Sequence, residues 1–484
     1  MSRLEKDFLG EKEINKNALY GIHSVRAREN FPDNSMFHLE WYKAIGITKL
    51  AFFLTYKTFK KNVIEQEMLE NTPLSLIDDL IITALIETAE EVAEGKYFQN
   101  FIIPAIQGGA GASINMNINE IITNAALIRM DLSPGDYDQI NPIEHANIFQ
   151  STNDVIPSSL KIAVTKLLID LNEQINELKL EVEKLEHQNK NKLRIAYTQM
   201  QQSAPSSYAR LFSTYAEALS RDLQRISKCN EKMTMINLGD RSLETGVPVP
   251  EIFIKELMPT IQKLTNHNFN RSKNLSDTNN NYDSWVTVHA FLKTHAVNLE
   301  KIASDVRLLS SDLFGAKEIS IPQKEAGDYA MSGKNNPVIT EFVISAAHKI
   351  YANDMLITSL SAQGSLDSNA YLPIIGNALL ESIKLLTAAN KTLQENLFSN
   401  IIINSDLAED RLYHSSTITN ALIVYIGSHK AAKLAKEMQK SGKDIFRVNS
   451  KLKIIDPDKL EKILTPKNLL KMGFTINDLT EFSG

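Results

Sequence analysis

The stretch Lys334, Asn335, Asn336 and Pro337 sets a cation and two amides just ahead of a long amphipathic run that begins at Val338. Unpaired N–H groups and the macrodipole at a helix start favour an anion, and a lysine with neighbouring amides adds charge-assisted donors. The chemistry expected of this stretch is the grip of a carboxylate. Just upstream, Gly327-Asp-Tyr-Ala-Met-Ser-Gly333 carries Asp328 and Tyr329, an acid and a phenol able to accept or deliver a proton. Phe149-Gln-Ser-Thr-Asn-Asp154 brings two hydroxyls and an amide, from Ser151, Thr152 and Asn153, to another helix start. Capping explains one of those polar groups but not all of them. Ala196-Tyr-Thr-Gln-Met-Gln-Gln-Ser-Ala-Pro205 offers Thr198 and Gln199 in the same way. Gln107-Gly-Gly-Ala-Gly-Ala-Ser113 permits close backbone approach to a ligand, and tight packing of a glycine-rich turn accounts for it equally well.

The elements that must position these loops are helices. Apolar residues recur at spacings of three and four, and strand-like alternation is scarce. From Val288 the series Leu292, His295, Leu299, Ile302, Val306 and Leu309 keeps a heptad seam, as do Leu160, Val164, Leu167, Leu171, Ile175, Leu178, Val182 and Leu185. With Asp154 as cap and Pro157 near the first turn, the second series predicts a helix over 157–187, roughly 45 Å long. Further helices are expected over 206–234, 337–364 and 370–397, giving five long rods between residues 150 and 400. The reading is all-α, with an N-terminal, mostly helical domain over 1–150, a central long-helix bundle over 151–400 and a small helical domain over 401–484. Ser272 to Asn281 reads as an exposed loop.

Composition removes several classes of function. Fifty-two basic residues against 58 acidic ones, a formal net charge of −6, leave no electrostatic footprint for nucleic acid or an anionic membrane. The lone Cys229 excludes an internal disulfide and is expected to be a half-buried helix residue. The first residues have no apolar signal core, and no run of about 18 uncharged apolar residues occurs, so the expectation is a cytoplasmic protein that does not span a membrane. His289 and His295, on one helix, are expected to be buried and hydrogen-bonded rather than ligands, and His145 to be structural. No His, Asp and Glu grouping has metal spacing, so no required metal is expected.

Taken together the four loops resemble those of the aspartase/fumarase superfamily, which read approximately Q-G-G-A-G-T-S-x-N-M-N-x-N-E, S-Q-S-x-N-D, R-T-H-x-Q-D-A-x-P and G-S-S-x-M-P-x-K-x-N-P-V, in this order. The likeness extends to Asp7-Phe-Leu-Gly-Glu-Lys-Glu, Tyr20-Gly-Ile-His-Ser-Val-Arg-Ala, Lys301-Ile-Ala-Ser-Asp-Val-Arg-Leu and Tyr425-Ile-Gly-Ser-His-Lys-Ala-Ala, and so covers nearly the whole chain, with the aspartase-like branch the nearest. The resemblance implies a three-domain, all-α fold whose central five-helix bundle merges into a twenty-helix core in a homotetramer. It also implies active sites built by loops of three subunits, no organic cofactor, and a small amino-acid-like substrate that undergoes 1,2-elimination.

Carried over residue by residue, the resemblance assigns Ser151, Thr152, Asn153 and Thr198 to substrate binding, and Lys334 with Asn336 to the α-carboxylate. Glu341 matches a carboxylate that pairs with the family's substrate-touching histidine, whose place Gln199 takes. Ala112 replaces a binding threonine, Asp328 the catalytic serine and Tyr329 the serine beside it. A small neutral segment becomes Ile236-Asn-Leu-Gly-Asp-Arg-Ser-Leu-Glu-Thr-Gly246, with Asp240, Arg241 and Glu244 as either an ion-pair network or substrate contacts. A carboxylate at 328 repels the second acid of aspartate, which points to a carbon–nitrogen lyase acting on another amino acid. Elimination of trimethylamine from the histidine-derived betaine ergothioneine fits that description, with Asp328 and Tyr329 for proton transfer or side-chain activation. Conversion of aspartate to fumarate and an inactive scaffold are the alternatives.

Overall fold

A computed structural model describes residues 2–65, 75–239, 249–313, 317–325, 331 and 333–481. The chain opens with β1 (Ser2–Asp7) and β2 (Gly10–Asn15), followed by α1 (Ile22–Asn30), α2 (Leu39–Glu65), α3 (Asp79–Glu94) and α4 (Ala112–Arg129). After α5 (Thr152–Gln188) come β3 (Leu193–Thr198), β4 (Gln201–Ser207) and α6 (Tyr208–Met233). Next are β5 (Met235–Ile236), α7 (Glu251–Thr265), β6 (Asn270–Arg271), α8 (Leu275–Asn280), α9 (Asp283–Leu309) and β7 (Ile319–Ser320). The remainder is α10 (Val338–Ser361), α11 (Leu372–Thr392), β8 (Ile402–Ile403), α12 (Ser405–His414) and shorter helices. The fold is predominantly helical, as the three-and-four spacing dictates, and α5, α6, α9, α10 and α11 are the five expected rods. Both heptad series are buried along their full length. Their apolar stripes supply the burial that holds such helices straight and paired.

Several local expectations need correction. The second loop's helix starts at Thr152, five residues before the expected 157, so Asp154 lies inside its first turn. Ser151 is the cap: its Oγ accepts from the Asp154 N–H at 3.2 Å, while Asp154 Oδ2 accepts from the Ser151 N–H at 3.1 Å. This reciprocal box satisfies helix-start donors on its own, and Pro157 lies inside the helix rather than at its first turn, so its missing N–H leaves the Asn153 carbonyl without an i→i+4 helical donor. The Ser272 to Asn281 run is not an open loop, because α8 occupies most of it, with the Asn274 side chain capping through the Asp277 N–H. Cys229 is fully rather than half buried, and burial pushes its thiol up to about 12. His289 and His295 are buried as expected. The rings lie 3.0 Å from Asp354 and 2.8 Å from Asp222, respectively.

The chain divides into two compact units. One comprises Met1–Asn172, Arg225–Thr294 and His348–Leu386; the other comprises Glu173–Gln224, His295–Ala347 and Thr387–Gly484. In the first, α2 packs on α3 and α7 around buried Trp41, Tyr42, Phe52, Phe53 and Phe253. Glu120 on α4 caps α1 from below, accepting from the N–H groups of Gly21, His23 and Ser24 at 2.7–3.2 Å and from the Ser24 hydroxyl. Complete burial raises its carboxyl to about 7 against the pull of those donors. In the second unit, Leu193 and Ile195 of β3 join Leu412, Ile418, Leu422, Leu434, Met438, Ile445 and Val448 in one apolar cluster.

Candidate functional site

The second loop is held from three sides within the first unit. Phe149, at φ 55°, turns the chain and sits in an aromatic nest, its ring centroid 5.3 Å from Phe253 and 5.8 Å from both Tyr56 and Phe59. Beneath the loop lies Lys49, 0% exposed, donating to Asn119 Oδ1 at 2.6 Å and Asn147 Oδ1 at 3.1 Å. Asn147 in turn donates to the Gln150 carbonyl at 3.1 Å, directly before Ser151. Burial holds the Lys49 ammonium well below its ordinary pKa, with Asp154 opposing that shift. A charge this costly to bury is retained where it organises acceptors. Sequence reasoning missed Lys49 because a lysine at an apolar helix position carries no signal until its partners are folded around it.

The glycine-rich first loop is packed against the same helix. Gly111 has φ 91°, and a Cβ there would stand 2.8 Å from Ile156 Cγ2 on α5. Both the left-handed backbone and the close approach require glycine. Packing therefore accounts for Gly111, whereas a Cβ at Gly109 would meet nothing within 4 Å, and Ala112 begins α4 directly behind Gly111. The buried side-chain amide oxygens of Gln107, Asn115 and Gln150, all in or beside these two loops, have no donor among the described residues, which is an uncommon cost in a native fold.

The third loop is not a loop but a β-hairpin of the second unit. Thr198 pairs with Gln201, and the two residues between them, Gln199 and Met200, have φ 51° and 61°. Two successive positive φ values between paired strands are the mark of a type I′ turn, which matches strand twist but normally takes Asn-Gly. Two long side chains in that turn are strained, and such strain concentrates at functional positions. Thr198 and Gln199 are exposed, and no hydrogen bond engages their side chains among the described residues.

The fourth loop also belongs to the second unit. Lys334, Asn335 and Asn336 are exposed ahead of α10, and the Lys334 N–H donates to the Met331 carbonyl at 3.2 Å. Asn335 Nδ2 ties the loop to the Ile321 carbonyl at 3.1 Å. The Lys334 ammonium and the Asn336 amide have no side-chain partner among the described residues, which leaves a cation and two donors presented at the start of α10. Glu341, in the first turn of α10, lies 3.6 Å from Arg307 Nη2 on α9, so an arginine is its charge partner within this unit. Asp328 and Tyr329 lie outside the described residues, as do Asp240, Arg241 and Glu244. Ser151, Thr152 and Asn153 thus stand in one unit, and Thr198, Gln199, Lys334, Asn336 and Glu341 in the other. Among the described residues no group of three or more His, Cys, Asp or Glu side chains is arranged to hold a metal ion.

Comparison with known proteins gives this arrangement its context. A family model described as lyase matches residues 10–352, and one described as fumarase C C-terminus matches residues 418–471. An aspartate ammonia-lyase from Bacillus sp is 34% identical, with 97% of this chain and 98% of that protein covered. The aspartate ammonia-lyase of Escherichia coli (strain K12) is 30% identical over 99% of this chain and 98% of its own length. Among solved structures, a fumarate lyase:delta crystallin from Brucella melitensis superposes with a TM-score of 0.84 at 28% identity, covering 93% of this chain and 99% of that one. A class II fumarase from Schistosoma mansoni, at 21% identity, shares the fold with a TM-score of 0.85 over 96% and 98% of the two chains. With nearly its whole length matched in this way and its helical fold shared, the chain belongs to the aspartase/fumarase superfamily, in the aspartate ammonia-lyase-like branch, and is a carbon–nitrogen lyase.

Proposed function

We propose that this lyase eliminates ammonia or an amine from an amino acid whose side chain is not a second carboxylate. The observation that carries the reading is the pair Asp328 and Tyr329, standing where the family has two serines, while the acid-gripping Lys334 and Asn336 are kept. Lys334 and Asn336 hold the α-carboxylate, with Thr198, Ser151, Thr152 and Asn153 orienting the substrate. A base takes the β-proton, the C–H electron pair becomes the Cα=Cβ bond, and the amine leaves with the C–N pair. A β-carbanion needs somewhere to place its charge. The family's second carboxylate would face repulsion of several kcal/mol from Asp328 in a poorly solvated site. An unsaturated ring delocalises the charge instead, and its N–H suits Asp328 as acceptor. Gln199, neutral where the family has histidine, suits a bulky quaternary ammonium leaving group. The specific substrate we infer is ergothioneine, with trimethylamine as leaving group and Asp328 and Tyr329 serving proton transfer or ring activation.

A second reading, conversion of aspartate to fumarate, is favoured by the 34% identity to a Bacillus aspartate ammonia-lyase along almost the full chain. The two separate in one assay. Purified protein is incubated with ergothioneine and with L-aspartate while absorbance is scanned and released amine measured. The expected result is a conjugated arylacrylate chromophore and trimethylamine from the former, abolished in Lys334→Met. Brisk fumarate formation from aspartate would sink the first reading.

We also infer a homotetramer, whose site loops are shared between subunits. Its support is the set of apolar side chains left exposed on the long helices: Leu180 on α5, Val297 and Leu308 on α9, and Phe342 on α10. These are side chains that contact with another copy would cover.

A further inference from the structure

We propose that Glu318 is a positioning residue that couples the Thr198–Gln199 hairpin to the Lys334–Asn336 loop, so that the two substrate-binding loops are set by one buried carboxylate. Glu318 is 0% exposed and lies immediately before β7, the strand that leads into the fourth loop. Its Oε1 accepts from the Tyr197 hydroxyl at 2.9 Å, and Tyr197 is the residue directly before Thr198. Its Oε2 accepts from the Tyr208 hydroxyl at 3.1 Å. Arg194 Nε stands 3.6 Å from Oε2 and Arg411 Nη1 3.7 Å from Oε1, so the buried charge is balanced by two guanidinium groups.

The backbone of this segment is equally committed. The Glu318 carbonyl accepts from the Asn404 N–H at 2.9 Å, and β7 pairs with β8 through Ile319 with Ile403 and Ser320 with Ile402. One residue further, the Ile321 carbonyl accepts from Asn335 Nδ2. The connection therefore runs from Tyr197 through Glu318 and three backbone units to Asn335, which sits between Lys334 and Asn336. Each link is a hydrogen bond or a covalent step, the last of them, at Asn335, being exposed. Burial and Glu318 together raise the Tyr197 hydroxyl to about 12, which keeps it a donor at neutral pH. Arg194 also lies over the Tyr197 and Tyr208 rings, at 5.8 and 5.7 Å from the centroids, and so restrains the hairpin base from the other side.

Why a buried acid with two phenols and two arginines should sit here has a physical answer. The hairpin tip is strained and exposed, and the fourth loop presents uncommitted donors. Neither can hold its geometry by itself, and donors that are a fraction of an ångström out of place lose much of their value in catalysis. A shared anchor makes displacement of one loop costly for the other, and such coupling is reciprocal.

The inference rests on the reading that both loops contact substrate, and its test separates the two claims. Tyr208→Phe and Tyr197→Phe each remove one phenol from Glu318, but only Tyr197 lies on the hairpin tip. Backbone amide exchange is measured at Thr198 to Met200 and at Lys334 to Asn336 in the full-length protein, alongside KM and kcat on whichever amino acid the wild type turns over. Tyr197→Phe should speed exchange in the Lys334 loop ~5-fold or more and raise KM more than it lowers kcat. Asn335→Ala should speed exchange at the hairpin tip. Tyr208→Phe should lower the melting temperature, since Tyr208 is the more deeply buried of the two phenols, yet leave exchange in both loops at the wild-type rate. Unchanged exchange in the Lys334 loop of Tyr197→Phe, or an equal effect from Tyr208→Phe, would overturn the coupling. Coupled exchange with KM unchanged would instead remove the loops from the substrate site, a failure of the functional reading alone.

Discussion

Single residues here are informative where they pay a conformational penalty without an evident packing return. Gln199 and Met200 occupy both left-handed positions of a tight turn, each at a cost of roughly 1–2 kcal/mol for an L-residue with a side chain. Met200 is 68% exposed, so its side chain contributes little burial to offset that strain. Met200→Gly should therefore stabilise the protein by about 1 kcal/mol, seen as a higher midpoint in urea unfolding. If the stabilised variant also lost turnover, the strain would be part of the site rather than an accident of drift. Lys334 and Asn336 present the opposite case, exposed and without a side-chain partner among the described residues, as the proposed grip on a carboxylate requires.

At the scale of elements, the two units handle their loops differently. In the first, the Ser151 loop is braced by a helix cap, an aromatic nest around Phe149 and a buried lysine. Lys49→Met keeps the volume but strips Asn119 Oδ1 of its donor, which should cost ~1–3 kcal/mol. Because the same ammonium orders Asn147 and through it the Gln150 carbonyl, KM should rise in that variant as well. A variant destabilised to the same extent elsewhere on α2, such as Phe52→Leu, should leave KM alone. Equal KM in the two would reduce Lys49 to a packing residue. In the second unit the bracing is a hairpin base and a short ribbon, with Glu318 between them.

For the whole molecule, the long helices leave Val297 50% and Phe342 42% exposed among the described residues. A single chain has a mass of 54.3 kDa. Equilibrium sedimentation should give about four times that value, and Val297→Glu should shift the protein toward smaller species while leaving helix content intact. A wild-type monomer would refute the tetramer. The sequence by itself determined the helical class and the five rods, because a three-and-four apolar period can be buried only on a helix face. It also determined the family, through the residue types and order of four loops and the stretches that match outside them. Only tertiary structure decided that the third loop is a hairpin, since Gln-Met carries none of the turn signals of Asn-Gly and the strands are too short to show alternation. It likewise decided the surroundings of Lys49, Glu120 and Glu318. A buried charge is legible only through its partners, and those partners lie tens of residues away in the chain.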